Sequence, residues 1–156
     1  MAEPRRIPPS IHVATLSLLL VVSVQAGLAL LLAGASKVGF FQYLFAAGVA
    51  LLLVWGILRG ARLAWMWGRA LGFFLAVVPL AAMGFGLWRG LTMRWWEAAV
   101  VVLGLSAPLL AASIALGRKS ALRFFDLVCP TCGTATRRGK DFLFRRALCR
   151  KCGHVW

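Results

Sequence analysis

Four uninterrupted apolar runs, at residues 11–35, 38–58, 70–88 and 95–116, take up most of this chain. Each is close to the ~20 residues that carry a helix across roughly 30 Å of hydrocarbon. A water-soluble fold of 156 residues could not hide a composition that is 62% hydrophobic and only 14% charged, since soluble domains are about half apolar and about a quarter charged. The bilayer is therefore the expected solvent. Each run must be helical, because lipid offers no partner to a bare backbone N–H or C=O. The connections "SKVG", "RGAR" and "RGLTMR" are short, so consecutive helices must run antiparallel. Pro79 and Pro108 fall inside the third and fourth runs, where a helix bundle tolerates a kink.

Four spans place both termini on one side of the membrane. Leaving aside the tail beyond Arg118, that side carries Arg5, Arg6, Arg59, Arg62 and Arg69, against Lys37, Arg89 and Arg94 on the other. Cytoplasmic loops are the basic ones, so the N-terminal arm (1–10), the middle loop and the tail are expected in the cytoplasm. The same rule accounts for a net charge of +14 that in a soluble protein would point to nucleic acid. Trp65, Trp67, Trp88, Trp95 and Trp96 fall at predicted helix ends, the depth that amphipathic rings favour. The opening "MAEPRRIPPS", the apolar run and "AGAS" share the outline of a signal peptide with an Ala-x-Ala site at Ala33–Ala35. The run exceeds the ~7–15 residues of a usual apolar h-region, so it is expected to stay as the first span. The preference for Arg over Lys and the Ala/Leu richness point to a GC-rich bacterial gene, hence to the cytoplasmic membrane.

The spans hold few groups of the kind that mark ion or substrate pathways. Gln25, mid-helix, is expected to bond to a neighbouring helix. Arg69 is expected to snorkel to the headgroups beside Trp65, and Glu97 to form a surface ion pair with Arg94. His12 is expected to sit plainly at the interface. The lack of a mid-membrane carboxylate argues against a proton- or cation-coupled transporter but leaves a neutral-lined pore open. Ser23/Gly27, Gly68/Gly72, Ala82/Gly86 and Ala107/Ala111 are small-xxx-small pairs. Such pairs let helices approach closely, either inside the bundle or between two copies in a homo-oligomer.

All four cysteines lie in the tail, as Cys129-x2-Cys132 and Cys149-x2-Cys152 with 16 residues between the pairs. Two pairs at this separation read as one four-thiolate zinc site. Two residues between cysteines make a turn that aims both sulfurs at one point, and two turns supply four corners of a tetrahedron about 2.3 Å from Zn²⁺. Gly133 and Gly153 follow the pairs in "CPTCG" and "CRKCG", where a positive φ turns N–H groups toward the sulfurs. Between them "TATR", a turn at "RGKD" and "FLFRRAL" read as a β-hairpin. So short a unit cannot fold on apolar burial alone, and structural zinc supplies on the order of 10–16 kcal/mol in such peptides. Iron in a rubredoxin-like site and dithiol redox chemistry are the alternatives to zinc. Four thiolates leave no open position for water, so the metal is expected to be structural and the protein not an enzyme. His154 is an alternative ligand, expected to point outward.

The pattern resembles the zinc-ribbon class of modules, two knuckles of the form CPxCG and CxxCG joined by a β-hairpin, over residues 127–156 only. The resemblance implies one structural zinc held by Cys129, Cys132, Cys149 and Cys152. The expected fold class is thus an all-α integral membrane four-helix bundle (11–117) with a small C-terminal β zinc ribbon (129–156). Leu122, Phe125 and Val128 share one stripe in the linker (118–128), which is expected to continue the fourth helix along the lipid surface. Arg137, Arg138, Lys140, Arg145, Arg146, Arg150 and Lys151 face only Asp141 in the ribbon. Three partners fit that charge: anionic headgroups, at roughly 1 kcal/mol per basic residue, a protein, or nucleic acid through its phosphates. The expected function is a multi-pass membrane protein presenting a structural zinc ribbon to the cytoplasm as an interaction or assembly module. A small transporter or channel subunit with a regulatory ribbon is the first alternative. A membrane thiol oxidoreductase is the second, although four-helix enzymes of that kind carry their Cys-x-x-Cys pairs on the extracytoplasmic side.

Overall fold

The computed structural model describes residues 7–34, 36–90, 92, 94–135, 148–149 and 151–155. Its mass is in four helices long and apolar enough to cross a membrane. These are α1 (Pro9–Leu32), α2 (Lys37–Leu58), α3 (Arg62–Trp88) and a fourth span over Trp95–Leu116. The fourth is composite: α4 (Trp95–Ala99), a π-helical segment (Val100–Ser106) and α5 (Ala107–Leu116). A short α6 (Lys119–Phe124) follows. α1 packs on α2 and α5, and α3 packs on the same two, so the spans close into a four-membered ring. Leu31, Phe45, Leu52, Phe74 and Leu103 point outward and are more than six-tenths exposed. Helices that are apolar all round belong in hydrocarbon.

Local chemistry explains where the helices begin and end. Pro9 opens α1 behind Pro8, at a position whose N–H has no helical partner anyway. The Ser36 hydroxyl accepts the Gly39 N–H at 3.2 Å and starts α2. Gly60, at φ +70°, ends α2, and the Ala61 N–H returns to the Gly56 carbonyl at 2.9 Å. α3 starts at Arg62, ahead of the run expected at 70–88. "RLAWMWGR" contains no proline, and its one glycine, Gly68, faces the close seam with Ile57 and Leu116, so the aromatic and basic stretch forms the first turns of the helix instead of leading into it.

The fourth span departs from a plain α-helix. Its π segment ends two residues before Pro108, and the Ala107 N–H reaches back five residues to the Val102 carbonyl. In an α-helix the Pro108 ring would press on the Gly104 carbonyl, and the wider register gives it room. At the start of the span Glu97 does not pair with the Arg94 guanidinium among the described residues. Its Oε2 accepts the Arg94 backbone N–H at 3.1 Å, because a carboxylate at the third helical position reaches an otherwise unmatched amide.

Of the four small-xxx-small pairs, Gly68/Gly72 forms the internal seam. A Cβ at Gly68 would stand 3.3 Å from both Ile57 Cδ1 and Leu116 Cδ1, and one at Gly72 would stand 3.2 Å from the Leu109 carbonyl oxygen. Ser23, Gly27, Ala82 and Ala107 are exposed. The four spans also bound a cavity of about 480 Å³, lined among others by Gln25, Gln42, Tyr43, Leu71 and Pro79. The expected interhelical bond from Gln25 is not made: its Oε1 is buried with no hydrogen-bond partner.

Candidate metal centre

The linker does not continue the fourth helix. The fourth span ends at Gly117, and α6 folds back beneath the bundle. Ala121, Leu122, Phe124, Phe125 and Leu127 are buried in one cluster with Ile11, Ile57, Trp65 and Leu116. Leu122 and Phe125 therefore do share an apolar stripe, with Val128 packed against the same cluster, but the stripe faces protein. The turn at Gly117 and Arg118 lets it reach an apolar recess at the helix ends, where burying a Phe or Leu side chain gains about 1.5–3 kcal/mol.

Two side chains of α3 latch this fold-back. The Trp65 indole N–H donates to the Leu116 carbonyl at 2.8 Å, and its ring lies 6.5 Å from that of Phe125. Arg62 donates from Nε to the Phe125 carbonyl at 3.2 Å and from Nη2 to the Asp126 carbonyl at 3.3 Å. Ser10 of α1 adds a 2.9 Å hydroxyl contact with Ser120. Trp65 is thus a buried strut whose indole N–H is matched inside the protein, while Trp88 and Trp95 are 79% and 82% exposed. Neither latch was identified from the sequence. The available signal was Arg62 and Trp65 standing three residues apart, on one helix face.

The latched segment delivers the first knuckle directly. α6 closes with Asp126 at φ +53° and the Leu127 N–H bonded to the Leu122 carbonyl at 2.9 Å, the geometry of a left-handed helix cap. Two residues later comes Cys129, itself buried. The two Cys-x-x-Cys turns share one backbone pattern. Cys129 N–H donates to the Thr134 carbonyl at 3.0 Å and Gly133 N–H returns to the Cys129 carbonyl at 2.9 Å. Cys149 N–H donates to the His154 carbonyl and Gly153 N–H to the Cys149 carbonyl, both at 2.8 Å. Gly133 and Gly153 take φ of +67° and +70° with open space where a Cβ would sit, so the backbone angle is what calls for glycine. Antiparallel bridges Val128–Ala135 and Leu148–Val155 flank the turns.

The four sulfurs converge. All lie within 4.8 Å of one another, with Cys129 Sγ 3.6 Å from Cys152 Sγ and Cys132 Sγ 3.4 Å from Cys149 Sγ. A tetrahedron with metal–sulfur bonds of about 2.3 Å has edges of about 3.8 Å, so four free thiols already stand close to the spacing one ion requires. Both of these sulfur–sulfur contacts run between knuckles. No family model, curated protein or solved structure matches this chain.

The thiols differ in acidity. The Thr134 hydroxyl and N–H, with the Cys149 thiol, hold Cys132 down at about 6. Desolvation pushes Cys129 up, but the N–H groups of Cys132 and Thr131 outweigh it and keep that thiol below its usual value. The His154 N–H pulls Cys152 down, yet desolvation and the thiols of Cys149, Cys129 and Cys132 push it up to about 12. Four thiolates cannot share so small a volume without a cation between them. The donor set and its spacing therefore fit a thiophilic divalent ion.

No strand occurs among the described residues, where the only β pairing is the two isolated bridges. Of the expected hairpin at 134–148, residues 136–147, with Arg137, Arg138, Lys140, Asp141, Arg145 and Arg146, lie outside the described residues, as does Arg150. His154 is exposed and contributes its backbone carbonyl to the second knuckle.

Proposed function

We propose that this is a multi-pass protein of the bacterial cytoplasmic membrane that presents a structural Zn²⁺ ribbon on the cytoplasmic face as an interaction or assembly module. The convergence of four thiols within 4.8 Å carries the reading. Zinc bound there would cross-link the two turns, and Cys129, Cys132, Cys149 and Cys152 would fill all four positions, leaving none for substrate or water. A non-enzymatic role follows. Dithiol redox chemistry is disfavoured because both short sulfur contacts join different Cys-x-x-Cys pairs. The positive-inside bias supports cytoplasmic termini, and the basic segment around residues 137–151 suits anionic headgroups or an acidic protein surface. Elemental analysis of the purified full chain tests the core of the reading, with one zinc per chain expected. A metal-free protein with a reversible disulfide would overturn it. Thiol labelling of intact cells with an impermeant reagent tests the orientation, and no labelling is expected.

A second reading, a small transporter or channel subunit regulated by the metal module, is favoured by the 480 Å³ cavity between the four spans. No charged residue lines it, so the reading requires a neutral solute. Solute flux in proteoliposomes that responds to Gln25→Leu would establish it.

A further inference from the structure

Arg69 stands seven residues into α3, about 10 Å past Arg62 along the helix axis at 1.5 Å per residue. Its guanidinium carbon lies 5.9 Å from the centre of the Trp65 ring. It also lies beside Gly117, where a Cβ would come within 3.6 Å of Cζ and Nη2. Among the described residues no carbonyl at the end of α5 accepts from its guanidinium, and each already has another donor. Leu116 O accepts the Trp65 indole N–H, Ser113 O and Ile114 O accept the Gly117 N–H, and Ala115 O accepts the Arg118 N–H. No acidic side chain pairs with Arg69 among the described residues. Glu97 caps the opposite end of the fourth span, and Asp126 belongs to the tail beneath the bundle. An arginine within a span and without an anion is costly, and it is kept where something pairs with it.

The protein supplies a recess in place of the anion. A pocket of about 410 Å³ opens on the outer side of α3 and is lined by Trp65, Met66, Arg69, Phe73, Phe74 and Ser113. Ser113 fixes one wall, its hydroxyl donating to the Arg69 carbonyl at 3.0 Å. Phe73 and Phe74 lie one turn further into the span and are 51% and 62% exposed. From the tail side inward the recess thus runs from indole and cation to bare phenyl rings. A phospholipid presents the same sequence from phosphodiester to acyl chain.

We propose that this recess binds the phosphodiester of one phospholipid from the tail-side leaflet. The Arg69 guanidinium donates to the non-bridging phosphate oxygens, a planar fork matched to that anion. The acyl chains descend over Phe73 and Phe74. This site is separate from the thiol cluster and does not depend on the metal reading.

Native mass spectrometry of the full chain, titrated with phosphatidylglycerol, provides the test. One tightly held phosphatidylglycerol per chain is expected. Diacylglycerol with the same chains should bind at least about tenfold more weakly, and millimolar inorganic phosphate should not displace the lipid. Arg69→Gln should weaken retention about tenfold or more, Arg69→Lys less, and Arg89→Gln at the opposite end not at all. The lipid-dependent rise in melting temperature of the unmutated chain gives a readout that needs no variant. Equal retention by R69Q, equal binding of diacylglycerol, displacement by free phosphate, or no lipid-dependent rise would each overturn the proposal.

Discussion

Replacing Trp65 by Phe removes the side-chain hydrogen bond of the latch that holds the tail against the bundle. A phenyl ring still packs toward Phe125, but the indole N–H is lost and the smaller ring leaves a small cavity that adds to the cost. In the native chain that group donates to the Leu116 carbonyl at 2.8 Å, between residues 6% and 0% exposed. Leaving a buried acceptor unmatched costs about 1–3 kcal/mol. At about 1.4 kcal/mol per factor of ten, local opening of the fold-back should become about 5- to 150-fold more frequent. Hydrogen exchange read by mass spectrometry on the full chain in nanodiscs should report this at the amides of Leu122, Phe125 and Leu127, each bonded within or just after α6. The middle of α2 should keep its protection, because segments open with their own free energies. Trp88→Phe, at an exposed site on the opposite end, is the control. Exchange at the three amides within twofold of the native chain would refute the latch. An equal acceleration in α2 would show that the whole bundle had loosened instead.

Three further outcomes follow from the same geometry. Zinc affinity, measured by chelator competition, should rise between pH 6.5 and 8.5. Cys132, held near 6, is already a thiolate there, while Cys152, pushed to about 12, must give up a proton to bind. A flat profile would mean that protonated sulfurs are not the ligands. Gly133→Ala and Gly153→Ala should each cost about 1–2 kcal/mol of metal-bound stability, since their φ of +67° and +70° opposes a Cβ; the readout is a loss of about 5- to 30-fold in metal affinity. Gly72→Ala should destabilise the bundle by about 1–3 kcal/mol in reversible unfolding, because its Cβ would stand 3.2 Å from the Leu109 carbonyl oxygen. Gly27→Ala, with nothing within 4 Å, should be close to neutral.

The spans and the thiol cluster were legible in the sequence because each rests on a short-range rule. Length and apolarity mark a span, and cysteine spacing marks a turn that points two sulfurs together. What escaped was set by contacts distant in sequence. Arg62 looked like a loop charge, yet it holds carbonyls 63 and 64 residues away. Trp65 looked like an interfacial ring, yet it meets a carbonyl 51 residues on. The stripe of Leu122 and Phe125 was visible, but periodicity shows that a face is apolar and not whether lipid or protein covers it. The reversal at Asp126 was hidden for a different reason, since a left-handed cap there is made by an aspartate and not by glycine. The π segment likewise has no pattern of its own beyond the proline that follows it.

The fold-back at Gly117 sets how far the cysteine turns can travel. Twelve residues separate Leu116 from Cys129. Stretched out at ~3.3 Å each they would form a tether of about 40 Å, but here most are spent in a helix and a cap pinned to the ends of α1 and α3. The first knuckle is therefore bolted to the base of the bundle instead of swinging on a leash. Any molecule that grips it must work flush against the ends of the helices, and any tilt of α3 would move the sulfurs with it.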